Sequence, residues 1–560
     1  MVEQSVNQKI KDCIDNNKNF VLDAGAGSGK TRTLTETLKN LLEWRGKEYM
    51  YTGRKIACIT YTNVAADEIM SRINDDSRVR VSTIHSFLWS IIGRYQKELR
   101  ESLIEMNGTL EIGKRVENLA AELEYKDISY VDYRDFRKGK IGHDDVIALS
   151  HLMFNTYPKL SRFVADLYPV IFIDEYQDTS EKVIDIILNI VGDRYKCRVI
   201  IGLFGDWMQS IYEHGVGNVN PEDRGLERII KEENHRSSKR VVQVLNKIRG
   251  DICGDIYQAP YSNLPGQAKF YYRKQGNSES ALRDLKMMLE ADSSWGSEMK
   301  ILALTNRIVA IHSGWETLRS VYSGYAKEDA RFAVDNLLSS KDPYSDIYDY
   351  IEGILLAYEN EDNAELYKIF KNRINIEGYI NKFGLFKRDL SKCLSDLWNY
   401  CDSGSIEDVC SYILGKDMFP KNPGISRLLR EACSEIVCTS KSKGGPFYYL
   451  KDCKYSEVRA MKRYKNEMTP FSTQHGTKGA EYEDVIVILD NGKWNKYNFE
   501  SALTNNGNNK TRETYNRSLN ILYVSLSRAR NNLAVLMVKP NSSILSAAHE
   551  IFGEDNVIEF

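Results

Sequence analysis

The sequence predicts an α/β protein of two parallel-sheet units, each interrupted by a helical insertion. Three observations predict it. Phe20–Thr33, FVLDAGAGSGKTRT, reads as a buried strand, a small-residue loop and a helix start. Val170–Ser180, VIFIDEYQDTS, is an apolar run ending in two carboxylates. Strand-like runs return at 268–273, 300–306 and 469–490, and residues 318–465 between them lose that alternation. Such strand–helix alternation builds parallel sheets whose loops gather at the strand C-terminal ends, where ligands bind.

Bulk properties narrow the class. A chain of 560 residues should divide into several domains. Its 42% hydrophobic and 28% charged residues are ordinary for a globular protein. With a net charge of −2, any nucleic-acid site must be a local groove. The ten cysteines include no CxxC pair, which argues against zinc ribbons and a disulfide scaffold. The six between 393 and 453 read as reduced packing residues, with an iron–sulfur cluster as the alternative. The N-terminus has no signal-peptide pattern and no apolar run approaches 18 residues, so the expectation is a cytoplasmic chain without membrane contact.

Gln4–Ile14 has helical spacing, with Val6, Ile10 and Ile14 on one face. Gln8 there could read an adenine edge or simply be a surface glutamine. The loop Ala24-Gly25-Ala26-Gly27-Ser28-Gly29 has the makings of a phosphate loop, although the strict pattern has Gly where Ala24 stands. Its glycines let backbone N–H groups converge on an anion at a helix N-terminus. Lys30 would reach the β- and γ-phosphates of ATP, Thr31 would ligate Mg²⁺, and Arg32 is grouped with the ATP-binding set. A flexible Gly/Ser turn would explain neither the Lys-Thr pair nor the preceding strand.

Lys55–Ile73 and Val79–Phe87 repeat the strand–polar tip–helix design and place Tyr61, Thr62, Asn63, Thr83 and His85 on the ligand edge. Tyr61 could stack a base and the others could meet a phosphate backbone; singly, any could be a cap or turn residue. Residues 94–161 read as an inserted helical subdomain in which Asp144 and Asp145 suit N-capping. Asp174 and Glu175 follow Lys30 by 144 residues (174 − 30). Asp174 would hold Mg²⁺ and Glu175 would act as general base, since adjacent carboxylates need a cation to ionise together.

Cys197–Gly215 gives another strand, then Gln209 as a γ-phosphate sensor and Tyr212 and His214 as nucleic-acid contacts; Trp207 could join them or pack in a core. Arg236, near a helix start, suggests an external anion. Residues 318–465 carry no visible chemistry and read as a helical platform. Thr473, His475, Gly476, Thr477, Lys478 and Gly479 make a loop of hydroxyls, glycines and one Lys suited to phosphates, and Glu481 could accept from a ribose hydroxyl or a nearby N–H. Residues 491–517, rich in Asn, Gly and Lys, read as a mobile surface loop. Leu519–Val538 reads as a helix and a closing strand, with Arg528 placed as an arginine finger and Arg530 as a solvated charge.

Taken in order, AGAGSGKT, TYTNVAADEI, STIHSF, FIDEYQD, GDWMQSIY, NHRS, QHGTKGAEYEDV and YVSLSRA resemble the motifs of UvrD/Rep-type superfamily 1A helicases. The resemblance spans residues 8 to about 538. It implies two RecA-like domains around ATP, with 1A at 1–93 and 162–235, 1B at 94–161, 2A at 236–317 and 466–560, and 2B at 318–465. It implies 3′–5′ movement on single-stranded or 3′-tailed DNA. It assigns Gln8 to adenine, Lys30 and Thr31 to phosphate and Mg²⁺, Asp174 and Glu175 to metal and base, and Gln209, Arg236 and Arg528 to the γ-phosphate. Tyr61, His85 and the stretch after Tyr212 would face DNA.

The departures fall on DNA coupling. His214-Gly215-Val216-Gly217 stand where the family often has Trp-Arg-Gly-Ala, Val64 replaces a Lys, and Arg517-Ser518-Leu519-Asn520 replace an acidic–basic run. The chain ends 32 residues after Arg528 (560 − 528), so no C-terminal nuclease domain is expected. That build resembles the helicase-like subunit of Gabija-type anti-phage systems, which acts beside a separate OLD-family nuclease. A DNA-sensing ATPase that licenses a partner nuclease is therefore the second reading, and a degenerate nucleotide-binding scaffold the third.

Overall fold

The computed structural model describes residues 5–212, 215–253, 257–325, 330–342, 344–371, 388–416, 447–474, 476–491, 495–505 and 512–560. Two six-stranded parallel sheets organise them. The first holds β1 (Phe20–Ala24), β2 (Ile56–Thr60), β3 (Val79–Thr83), β4 (Val170–Asp174), β5 (Ile200–Gly205) and β6 (Glu227–Lys231). Its spatial order is β3-β2-β4-β5-β1-β6. The second holds β7 (Gln267–Arg273), β8 (Met299–Ala303), β9 (Phe471–Thr473), β10 (Tyr482–Ile488), β11 (Ala529–Val538) and β12 (Val557–Glu559). Its order is β9-β8-β10-β11-β7-β12. Counted from each sheet's own first strand, both orders are third, second, fourth, fifth, first, sixth. The two bodies thus share one strand topology.

Strands β1, β2, β4 and β5 are buried along their whole length, which requires the continuous apolar runs seen in the sequence. Phe20, Phe172 and Phe204 meet edge to face across β1, β4 and β5, with ring centroids 5.3–6.0 Å apart. Gly202 sits among them: an added Cβ would lie 2.5 Å from the Phe20 ring and 2.8 Å from that of Phe172. Gly202→Ala is expected to cost about 1–3 kcal/mol through overpacking. Denaturant unfolding measures it, and a midpoint equal to the parent's would contradict this packing.

The first helical insertion lies between β3 and β4 and includes Gln96–Thr109, His143–Thr156 and Pro158–Leu167. Its apolar faces join the core of the first sheet. Asp145 accepts from Gly142 N at 2.9 Å, the N-capping role expected of it. The second lies between β8 and β9 and has its own core around Trp315, Tyr348, Leu397 and Tyr455. Cys401, Cys410 and Cys453 are packing residues of that core.

Residues 491–517 differ from the surface loop their composition predicts. Phe499–Leu503 forms a helix against Arg512–Leu526, and the Phe499 side chain is fully buried. Tyr497, Phe499, Ala502, Leu503 and Tyr515 are buried together in one cluster, which outweighs the polar composition around them. Residues 492–494 and 506–511 lie outside the described residues. Among the described residues no helix is long and apolar enough to cross a membrane.

Candidate nucleotide and nucleic-acid site

Parallel pairing brings three chemically loaded tips together. Asp23 of β1 is in register with Gly205 of β5, and Asp174 of β4 with Phe204 of β5. The small-residue loop, Asp174–Glu175 and Asp206–Gln209 therefore leave the same sheet edge side by side. Gly29, at φ +80°, caps the helix Lys30–Thr52, so the loop turns directly into a helix N-terminus. Gly27, at φ +76°, permits close approach: a Cβ there would lie 2.7 Å from the Arg236 Cβ and 2.8 Å from Asn234 Oδ1.

The Lys30 ammonium is largely buried and lies 3.9 Å from Glu175 Oε1. Burial, and then the Glu175 charge, push Asp174 up to about 7. Burial works against ionisation of Glu175 too, but Lys30, Lys478 and the Gln177 amide hold it below the ordinary carboxylate range. Gln177 Nε2 donates to Glu175 Oε2 at 2.5 Å. Glu175 also adopts φ +49°, a conformation uncommon for a non-glycine residue. The geometry thus keeps one carboxylate ionised beside another that a cation would have to charge.

The second body supplies the arginines. Arg236 donates from Nε to Glu481 at 2.7 Å and from Nη1 to Ser527 O at 3.2 Å. Glu481 therefore accepts from a nearby N–H, that of Arg236, the second of the two roles its position suggested beside a ribose contact. Arg528 donates to Val524 O, Ala480 O and Ser527 Oγ at 2.8–3.0 Å. It is 1% exposed and, among the described residues, pairs with no carboxylate. Burial, and then Arg236 nearby, push it down to about 9. Two close guanidiniums, one buried without a counter-ion, fit an anionic ligand. Ser28 Oγ in the loop is also buried without a partner among the described residues. The donor set matches a polyphosphate, and Thr31 with Asp174 matches an oxygen-seeking cation such as Mg²⁺.

Other expected ATP contacts are occupied locally. Gln8 is exposed and donates to Asp12 at 2.8 Å, and Arg32 pairs with Glu36 at 2.8 Å. Gly479, at φ +90°, turns the chain ahead of Ala480 and Glu481.

Among the nucleic-acid candidates, Tyr61 and Tyr212 stack with centroids 5.3 Å apart and planes 16° from parallel, and both remain part-exposed. Lys478 lies 5.2 Å over the Tyr212 ring. The same ammonium pairs with Asp178 and bonds Gln209 O at 2.5 Å. His85 lies 4.9 Å from His143 at the start of an inserted helix. Thr83 caps the helix Ile84–Ile92 through Ser86 N, and Thr473 Oγ1 accepts from Gly476 N at 3.1 Å. Asn63 begins the helix that Thr62 caps. Trp207 packs against the core of the second body. His214 and His475 lie outside the described residues.

Several functional neighbours escaped the sequence. Asn234 Nδ2 and Gln258 Nε2 both donate to Ala26 O, at 2.9 and 3.0 Å. Tyr523 Oη accepts from Ala26 N at 3.0 Å, and buried Arg249 pairs with Asp206 at 3.2 Å. Asn234, Asp206 and Tyr523 stand inside the NHRS, GDWMQSIY and YVSLSRA stretches, but no local pattern points any of them at the phosphate loop.

Two like-ordered parallel sheets carry this motif series, an arrangement similar to that of UvrD-like superfamily 1 helicases. A family model described as an AAA domain matches residues 7–215. Along nearly its full length the chain is similar to the Gabija protein GajB of Bacillus cereus strain HuB5-5, at 26% identity over 99% of this chain and 98% of that protein. It is also 27% identical to the ATP-dependent DNA helicase Rep of Escherichia coli K12 over 40% of each chain. The ATP-dependent DNA helicase PcrA of Bacillus subtilis 168 is 26% identical over 41% of this chain and 37% of its own.

Proposed function

We propose that the chain is an ATP-driven DNA translocase and helicase of the UvrD type, moving 3′–5′ along single-stranded DNA. One arrangement carries this reading: Lys478 of the second body bonds Asp178 and Gln209 beside the phosphate loop while lying over the ring of Tyr212, which stacks on Tyr61. A single side chain thus links the nucleotide edge to a base-stacking platform. Residues 1–93 with 162–235 and 236–317 with 466–560 act as the moving bodies, 1A and 2A, with 94–161 and 318–465 as 1B and 2B.

Lys30 neutralises the β- and γ-phosphates while Glu175 takes the proton from the attacking water. Mg²⁺ on Thr31 and Asp174 supplies charge neutralisation when bound. Arg236 and Arg528 face the charge that develops on the transferred phosphoryl group. ATP favours the closed pair of bodies, and hydrolysis with product release returns the open one.

A second reading is supported by the full-length similarity to a Gabija protein, against partial similarity to Rep and PcrA. In it the same ATPase senses DNA and licenses a separate OLD-family nuclease, with little unwinding of its own. The test is ATP turnover with and without single-stranded DNA, beside displacement of a 3′-tailed duplex. Stimulation with displacement is expected; stimulation alone selects the second reading, and turnover indifferent to DNA rejects both.

A further inference from the structure

The second body holds Gln209 from two sides through buried ion pairs that cross between the bodies. On one side Lys478 pairs with Asp178 and bonds the Gln209 carbonyl. On the other, the Gln209 amide donates to Asp206 Oδ2 at 2.9 Å, and Asp206 is paired with Arg249. Arg249 lies on the helix Lys239–Cys253, whose Val241, Val244 and Leu245 pack into the core of the second body. Its side chain is 2% exposed and that of Asp206 1%.

Its neighbours on the buried helix face, Val241, Val242, Val244, Leu245 and Ile248, are all apolar. A cation there carries a desolvation cost that an aliphatic side chain would avoid. The guanidinium has specific partners instead: Nη1 donates to Tyr523 Oη at 2.6 Å and lies 3.2 Å from Asp206 Oδ2. The Tyr523 hydroxyl also accepts from Ala26 N of the phosphate loop. Arg249 is therefore joined to the sensor loop directly and to the phosphate loop through one tyrosine. Its Nη1 also packs against the phosphate loop, 2.8 Å from where a Cβ on Gly25 would be.

We infer that Arg249 is a positioning residue of the ATPase, which orients the Gln209 amide through Asp206 only when the two bodies are closed. The inference rests on the ATPase reading above. Opening the cleft withdraws Arg249 and Lys478 together, so the sensor loses both restraints at once. Closure and sensor orientation become a single event.

The test uses the full chain and three variants: Arg249→Met, Arg249→Lys and the double variant Arg249→Met with Asp206→Asn. Fluorescent-ATP binding, kcat with single-stranded DNA and thermal midpoint are read for each. Arg249→Met is expected to lower kcat by roughly 10- to 100-fold, the scale of a misplaced catalytic group, with ATP affinity little changed. Arg249→Lys should recover part of kcat. The double variant removes the lone buried charge, so its midpoint should return toward the parent's while kcat stays low. A double variant with parental kcat would show that only charge burial mattered and overturn the inference, as would a folded Arg249→Met with parental kcat. If Arg249→Met does not fold, the other two variants decide. A parent chain without DNA-stimulated turnover would overturn the ATPase reading itself and this inference with it.

Discussion

Truncating Lys30 to Ala is expected to abolish measurable ATP turnover while leaving the two sheets folded. Lys30 begins the helix after the glycine loop, and its ammonium is largely buried 3.9 Å from Glu175. It is the cation closest in sequence to the loop's backbone donors, and in the proposed mechanism it meets charge that grows during transfer. Loss of a single preorganised electrostatic partner typically lowers kcat by about 10²–10³-fold. Here the loss is compounded. Lys30 is among the charges that hold Glu175 ionised and that oppose the rise of Asp174. Without it both carboxylates drift toward protonation, so base and metal ligand weaken together. Phosphate release by the purified variant measures this, with circular dichroism to confirm the fold. Turnover within a few-fold of the parent would remove the phosphate-loop assignment.

What the sequence disclosed depended on how locally each feature is encoded. Strand β1, the glycine loop and the helix at Lys30 are contiguous, so apolar run, small residues and helical spacing appear in one window. The same holds for β4 running into Asp174–Glu175. The shared strand order of the two sheets is different in kind. It is set by pairings such as β1 beside β5, between segments some 180 residues apart, which no window contains.

Residues around the loop show the same division. Tyr523 reaches Ala26 across 497 positions and Arg249 across 274, so neither role has a local pattern. Thr83 was ambiguous because a hydroxyl at a strand tip suits a helix cap and a phosphate contact alike; the helix uses it as a cap. Phe499 was hidden by polar neighbours, although it docks its short helix together with the buried Ala502 and Leu503.

Replacing Glu175 by Gln is expected to separate ATP binding from hydrolysis. The substitution keeps size and hydrogen-bonding capacity while removing the negative charge and the proton-accepting role. A positioned general base contributes about 10²–10⁴-fold, and turnover should fall on that scale. Binding should survive for an electrostatic reason. Glu175 is the largest neighbouring charge that raises Asp174, which stands at about 7 with the pair intact. Neutralising it relieves like-charge repulsion, so Asp174 ionises more readily and the cation site improves. Lys30 then faces incoming phosphate without an adjacent carboxylate competing for it. ATP affinity should equal or exceed the parent's, and the variant should remain in the ATP-bound, closed arrangement. Gln177, which now donates to Glu175 Oε2, can donate equally to the amide oxygen of the new side chain, preserving the local hydrogen bond. Single-turnover hydrolysis and equilibrium ATP binding on one preparation make the comparison. Near-parental hydrolysis would assign the base elsewhere. Loss of ATP affinity would mean that the Glu175 charge contributes to binding rather than to proton transfer.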